Sequence, residues 1–190
     1  MNNGGAHLKF GLEPDIAVFA KGISNGYPMG VIIGKKDVMD AAQESFISST
    51  YWTERIGPVA AIATINKFKK NDVSVHLVNT GKIVFNVWKN NADKYNLGID
   101  VGGIYPLGHF TFKYDNPLVL KTLFTQIMLE KGFLATTAFY ISYAHKAEHL
   151  ASYEKAVDEA FKIISESINK GNSEKLLKGP VCHTGFKRLN

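Results

Sequence analysis

The chain has 190 residues, of which 45% are hydrophobic and 21% charged, a balance typical of globular and not of disordered proteins. Its formal net charge of +5 comes from 22 basic and 17 acidic side chains, and only Arg55 and Arg188 are arginines. Because arginine forks read the edges of bases, this inventory argues against a sequence-specific nucleic-acid-binding protein.

The single cysteine, Cys182, excludes an intrachain disulfide and a multi-cysteine metal site. The six histidines have no ligand-like spacing, so no metal site is predicted. No apolar run reaches the length of a membrane span, and the first residues do not resemble a signal peptide. We therefore expect a cytoplasmic protein that binds neither membranes nor nucleic acid.

Residues 15–34 are the first informative stretch of the chain. Two apolar runs, residues 15–20 and 30–34, predict short buried strands in a mostly parallel sheet. Lys21 follows the first run and opens a loop rich in glycine and proline. An apolar setting disfavours the ammonium form, and a neutral amine can form a Schiff base with an aldehyde. Alternatively, Lys21 simply reaches solvent before a glycine-rich turn.

Residues 48–58 are the second informative stretch, because they combine hydroxyl, aromatic and arginine side chains ahead of Pro58. Proline suits the first turn of a helix, and residues 59–65 are apolar enough to continue as a buried one. A hydroxyl beside the amides of a helix start can bind an anion. The alternative is an ordinary capping loop, in which the hydroxyls satisfy exposed amides.

The remainder of the chain predicts a separate small domain, residues 71–190, after a first domain of residues 1–70. Apolar residues at helical spacing predict three helices, and short apolar or alternating runs predict the strands. The helices are expected over 72–95, 117–131 and 150–168, and the strands over 99–101, 103–105, 109–114, 133–134 and 139–143. This order predicts an α+β unit with helices on one face of a largely antiparallel sheet. Phe110, Phe112, Phe124 and Phe161 are interpreted as core residues.

The segment around Lys21 also carries a family resemblance. Pro14, Asp15 and Ile16 ahead of Lys21, and the Gly-Tyr-Pro-Met-Gly of residues 26–30, resemble the cofactor-lysine segment of class III aminotransferases. These are fold-type I enzymes dependent on pyridoxal 5'-phosphate, and their glutamate-1-semialdehyde aminomutase-like branch is the most similar. The resemblance implies that Lys21 is catalytic, holding the cofactor as a Schiff base and moving a proton once released.

The same resemblance extends to the helix start at Pro58. The family has a threonine five residues before a proline that opens a helix of small residues, and Thr53 holds that spacing here. In the family this threonine reaches the phosphate of the cofactor bound in the partner subunit, which implies a homodimer. Ile56 and Gly57 differ from the usual Gly and Asn, so the expectation for Thr53 stands on the spacing.

Glu54 and Arg55 are bulkier and charged where the family is not, and both are candidate substrate-binding residues. Arg55 could bind a substrate carboxylate as a planar fork. It could instead pair with Glu54 or with another acidic neighbour on the surface. The roles of the two residues stay open at this point.

The resemblance covers about residues 4–168 but only the second part of the family's sequence. It implies that residues 1–70 are the end of a large α/β cofactor-binding domain and residues 71–190 the small C-terminal domain. The family's aspartate against the pyridine nitrogen, its aromatic residue over the ring and its Gly-Ser/Thr phosphate loop all precede the position of Gly4. We therefore expect the C-terminal portion of an aminotransferase or aminomutase for an amino acid or amino-aldehyde, inactive alone. The alternative is a non-catalytic folded fragment or interaction module.

Overall fold

The computed structural model describes residues 4–50 and 52–185. It divides the chain into two compact units, Met1–Val75 and His76–Asn190. In this described part, no helix combines the length and the apolar character that crossing a membrane requires.

The first unit consists of a strand hairpin and helices. Its elements are α1 (Ala6–Lys9), β1 (Ile16–Ala20), β2 (Gly30–Gly34), α2 (Lys36–Met39) and α3 (Ile56–Lys70), with 3-10 turns at Lys21–Ile23 and Asp40–Glu44. Helix α4 (Val73–Lys94) begins in the last residues of the first unit and continues into the second unit. The helix expected to open at Pro58 thus begins two residues earlier, at Ile56.

The strands β1 and β2 pair with each other in antiparallel register, from Ile16 opposite Gly34 to Ala20 opposite Gly30. The expected parallel arrangement is therefore wrong for this pair. The reason is the connection, because the short loop between them lacks the dozen or more residues that a parallel crossover needs. An ion pair of 2.7 Å between Lys35 Nζ and Asp15 Oδ1 lies at the open end of the hairpin.

The two faces of this hairpin have different surroundings. Phe19 and Val31, which are cross-strand partners, line an apolar cavity of about 540 Å³ together with Ile65 and Phe68 of α3. On the other face Val18 and its partner Ile32 are 69% and 57% exposed. The prediction that both strands are buried is therefore wrong within this unit, because α3 lies on one face only.

The second unit packs helices against a three-stranded sheet. Its further elements are β3 (Ile99–Ile104), β4 (Leu107–Phe112), α5 (Pro117–Glu130), β5 (Ala138–Tyr140), α6 (Ala147–Asn169) and a 3-10 turn at Ser173–Leu176. The strand order is β3-β4-β5 and both pairings are antiparallel, which confirms the predicted sheet. The strand expected at 133–134 is wrong, since the Phe133 amide instead donates to the Met128 carbonyl at the end of α5.

Aromatic side chains form the centre of the second unit. Phe110, on β4, lies 5.1 Å from Trp88, 5.2 Å from Phe124 and 5.5 Å from Phe161 between ring centroids. All four side chains are fully buried. The indole N–H of Trp88 donates to the Tyr153 hydroxyl at 2.9 Å, which satisfies a buried polar group. The interpretation of these phenylalanines as core residues is confirmed.

Candidate functional site

Lys21 lies where β1 ends and the 3-10 turn Lys21–Ile23 begins. Its φ of 54° is in the left-handed region, which residues with a Cβ rarely adopt and which recurs at functional sites. The residue is exposed. The dry, apolar setting predicted from the sequence is therefore not formed by the described residues of this chain, because β1 itself is not covered on both faces.

A buried serine fixes the loop that follows Lys21. Ser24 is 1% exposed, and its hydroxyl donates to the Tyr27 carbonyl at 2.5 Å. Asn25 and Gly26, between them, have φ angles of 51° and 110°. Residues without a bulky side chain tolerate these conformations best. Ser24 is not among the residues predicted from the sequence to act at the site, although a serine inside a glycine-rich loop is a signal for such a local bond.

Glu54 closes the first turn of α3. Its carboxylate accepts hydrogen bonds from the Ile56 amide at 2.8 Å and from the Gly57 amide at 3.1 Å, one to each oxygen. The bond from Ile56, followed by that from Gly57, lowers the pKa of Glu54 from its ordinary value. Amides that a helix leaves unpaired at its start are thus satisfied by an anion from the chain itself.

Gly57 brings the start of α3 against the loop that follows Lys21. The residue is buried, and a Cβ added there would lie 3.2 Å from Met29 Cβ and 3.3 Å from the Pro28 carbonyl oxygen. Helix α3 also contacts the 3-10 turn that Lys21 opens. The structure therefore joins the two informative stretches of the sequence within the first unit.

Thr53 and Arg55 are both exposed next to this junction. None of the ion pairs between residues described by the structure includes Arg55, so its expected alternative pairing with Glu54 is not seen. The guanidinium is accessible to a ligand, whereas both oxygens of Glu54 already accept backbone bonds. Tyr51, in the same stretch, lies outside the described residues.

His145 belongs to the second unit. It lines a cavity of about 440 Å³ with Phe133 and Phe139, and its Nδ1 accepts the Ser142 amide at 2.9 Å. Burial first, and then the nearby His149 and His76, lower the pKa of His145. No group of three or more histidine, cysteine or acidic side chains is arranged to hold a metal in residues 4–50 and 52–185.

Comparison with known proteins gives a family match over most of the chain. The family model for class III aminotransferases matches residues 4–168. The chain is 29% identical over 163 residues to the 3-aminobutyryl-CoA aminotransferase of Cloacimonas acidaminovorans, covering 83% of this chain and 39% of that protein. It is 28% identical over 180 residues to a glutamate-1-semialdehyde 2,1-aminomutase of Methanococcus maripaludis, covering 85% and 42%.

Solved structures show the same fold. The internal aldimine form of the FumI protein of Sphingopyxis sp. MTA144, with pyridoxal phosphate, matches with a TM-score of 0.80 at 21% identity, over 86% of this chain and 40% of that one. The β-phenylalanine aminotransferase of Variovorax paradoxus matches with a TM-score of 0.74 at 17% identity, over 88% and 42%. The predicted α/β fold class is confirmed, and the chain spans about two fifths of the length of the curated relatives it matches.

Proposed function

The chain belongs to the class III aminotransferase family, whose cofactor is pyridoxal phosphate, and from this premise we propose that it forms part of an aminotransferase or aminomutase. Its substrate would be an amino acid or an amino-aldehyde. The observation that carries the proposal is the junction of the two stretches. Lys21 follows β1 directly, and the start of α3, next to Thr53, packs on the loop that Lys21 opens.

The side chains at this junction fit the cofactor chemically. Lys21 offers an exposed primary amine, which can hold an aldehyde covalently, and the loop after it is shaped by glycine and by the Ser24 bond. The exposed Thr53 hydroxyl is a donor suited to a phosphate oxygen, in the proposed dimer that of the cofactor held by the other copy. When bound, pyridoxal phosphate would supply the electron sink that stabilises negative charge on the substrate carbon.

The residues of this chain would then divide the remaining work. The Nζ of Lys21, once free, takes the proton from the substrate carbon and returns it during turnover. The Arg55 guanidinium binds a substrate carboxylate as a planar fork. The sequence also makes Glu54 a candidate substrate-binding residue, but both its oxygens already accept backbone bonds, which favours Arg55 for that role.

We further propose a homodimer in which Thr53 contacts the phosphate of the cofactor held by Lys21 of the other copy. The spacing of Thr53 and Pro58 supports this assignment through the family resemblance. A cytoplasmic location is proposed because the one cysteine, Cys182, suits a reducing compartment.

We propose that the 190-residue chain shows no useful transamination by itself. The family's aspartate partner of the pyridine nitrogen lies outside the segment that this chain resembles, and the exposed Lys21 lacks a dry surrounding. Loss of a central electrostatic partner lowers a rate by roughly a thousandfold or more. Measurable turnover by this chain with an amino donor and a keto acceptor would contradict the proposal.

The role of Lys21 is tested by incubation with pyridoxal phosphate. The wild-type chain is expected to give a visible absorbance band from the covalently held aldehyde, and Lys21→Ala to lose it. Lys36→Ala, in the exposed start of α2, is the matched control and should keep the band. A band of equal intensity in Lys21→Ala would show that another amine carries the cofactor and would refute the assignment.

A second function is favoured by the apolar surface of the first unit. Phe46 and Trp52 are 96% and 69% exposed. The cross-strand partners Val18 and Ile32 are 69% and 57% exposed on one face of the hairpin, and an exposed apolar face of this kind is typical of an interaction site. The alternative is therefore a non-catalytic interaction module with the family fold. Native mass and the pyridoxal phosphate band separate the two, because a module would assemble with a partner without any Lys21-dependent band.

A further inference from the structure

We infer that Glu54 is a positioning residue that holds the start of α3. It would thereby keep the Thr53 segment in place at the phosphate of the other copy's cofactor, and the loop after Lys21 in place at this chain's own cofactor. The inference rests on the proposed function for its meaning. It assigns Glu54 a role through other residues and not a contact with the substrate.

The first observation is the pair of hydrogen bonds made by the Glu54 carboxylate. One oxygen accepts the Ile56 amide and the other accepts the Gly57 amide, at 2.8 and 3.1 Å. Two bonds to consecutive amides fix the side chain and the first turn of α3 in one orientation. Residue 53, immediately before Glu54, is thereby held at a constant distance from the helix start.

The second observation is the contact that Gly57 makes with the Lys21 loop. A Cβ at this buried position would lie 3.2 Å from Met29 Cβ and 3.3 Å from the Pro28 oxygen, which shows how closely the two backbones approach. Gly57 thus takes part in both interactions: its amide donates to Glu54, and its backbone lies against Pro28 and Met29. The carboxylate therefore acts on the loop through Gly57, while the Ser24–Tyr27 bond fixes the loop from within.

These two contacts make the order of the Thr53 segment depend on Glu54. When the carboxylate is lost, the first turn of α3 frays, and Thr53 and the Pro28–Met29 segment both gain freedom. A ligand must then restrict that freedom on binding, which lowers its affinity without removing any direct contact. Because Thr53 is on the phosphate side of the proposed site, the loss should depend on the phosphate of the ligand.

The test compares pyridoxal phosphate with pyridoxal, which has the same aldehyde and no phosphate. Glu54→Gln has one oxygen acceptor where the carboxylate has two, so it cannot reproduce both hydrogen bonds to the helix start. We therefore expect the apparent Kd for pyridoxal phosphate to rise about fivefold. The Kd for pyridoxal should stay within experimental error, whereas general destabilisation would weaken both ligands. Glu13→Gln, an exposed loop glutamate of the same unit, is the control for the change in charge.

Two results of this titration would overturn the inference. Tighter binding of pyridoxal phosphate by Glu54→Gln would mean that the carboxylate repels the phosphate instead of ordering its site. An equal loss for both ligands would mean that Glu54 only stabilises the unit. Glu54→Asp keeps the charge with a shorter side chain, and we expect a Kd between those of the wild type and Glu54→Gln.

A cofactor-free readout separates this inference from the proposed function. Amide hydrogen exchange of the 190-residue chain should be faster in Glu54→Gln at Ile56, Gly57 and Met29 together. Faster exchange at Ile56 and Gly57 with Met29 unchanged would overturn the inference, because the loop would not depend on Glu54. If the wild-type chain gives no Lys21-dependent band, the proposed function fails, while the exchange result still decides how Glu54 acts.

Discussion

Two glycines of the second unit lie where a side chain would overlap a neighbour. A Cβ at Gly81, in α4, would be 2.1 Å from the Tyr105 carbonyl oxygen, and one at Gly108, in β4, would be 2.1 Å from Phe85 Cε1. A backbone oxygen cannot turn aside as the end of a flexible side chain can. Gly81 therefore allows the close approach of Tyr105 to the helix.

The substitution Gly81→Ala tests this contact, because two effects of opposite sign compete. Helix propensity alone would stabilise the variant by about 1 kcal/mol. Overlap with Tyr105 costs about 1–3 kcal/mol or more, so we expect net destabilisation in urea unfolding. Gly179→Ala, which has no atom within 4 Å of the added Cβ, is the control. A Gly81→Ala variant more stable than the wild type would show that a Cβ at position 81 does not overlap the Tyr105 carbonyl oxygen.

The lowered pKa of His145 implies that the free energy of unfolding varies with pH. Burial and two neighbouring histidines lower its pKa, so the folded chain favours the neutral ring more than the unfolded chain does. The contribution of His145 to the free energy of unfolding is therefore fully present above the pKa of the unfolded chain, about 6.5. It is lost as the pH falls through the lower pKa of the folded chain. We expect the free energy of unfolding to decrease from pH 7.5 to pH 5.

The matched variants for this prediction are His145→Asn and His183→Asn. Asparagine can still accept the Ser142 amide but does not titrate, so His145→Asn should flatten the decrease in stability. His183, exposed near the end of the described chain, should leave the profile as in the wild type. A profile of the same steepness in both variants would assign the pH dependence to other groups.

At the scale of elements, α6 shows how apolar spacing becomes a core. Tyr153, Val157, Phe161 and Ile164 follow one another at three or four residues and are all buried in the structure. Phe161 lies 5.5 Å from Phe110 and contacts rings from both the sheet and α5. The helix predicted from the sequence is therefore held by packing, as most protein helices are.

Truncation of Phe161 should destabilise the second unit more than truncation elsewhere on the same helix. We expect Phe161→Ala to lower the free energy of unfolding by about 3–5 kcal/mol, because it leaves a cavity among the rings of Phe110, Phe112 and Phe124. Ile163→Ala, at a side chain that is 38% exposed, should cost clearly less. Chemical denaturation followed by the Trp88 signal measures both, and equal losses would contradict the assignment of Phe161 to the core.

The whole molecule combines two units of unequal packing. Among the described residues up to position 75, only Ala61 and Val73 are buried hydrophobic side chains, whereas the second unit contains an extended core. Large apolar side chains of the first unit are exposed instead, with Phe46 and Val18 as examples. Local stability follows buried apolar contacts, so the two units should differ in stability.

This difference is measurable by hydrogen exchange of the isolated chain. We expect amides of β1, β2 and α3 to exchange faster than those of α5 and α6, and the first unit to open before the second in denaturant. The physical reason is that the hairpin is covered on one face only. Equal protection in both units, with one cooperative transition, would contradict the prediction.

The sequence by itself determined the features that depend on neighbouring residues. Apolar spacing predicted α4, α5 and α6, and the motif around Lys21 indicated the family and its cofactor. The alternating pattern of residues 109–114 predicted a strand, which the structure places two residues earlier as β4, Leu107–Phe112. These signals are local, since helix and strand periods and short motifs need only a few consecutive residues.

Only the tertiary structure decided the features that depend on distant residues. It gave the antiparallel direction of β1 and β2, the exposure of Lys21 and the contact of Gly57 with Met29. It also showed that the Glu54 carboxylate binds the start of α3. Whether a strand is covered, and which backbone a glycine approaches, depends on elements far apart in the chain, so no local pattern contains that information.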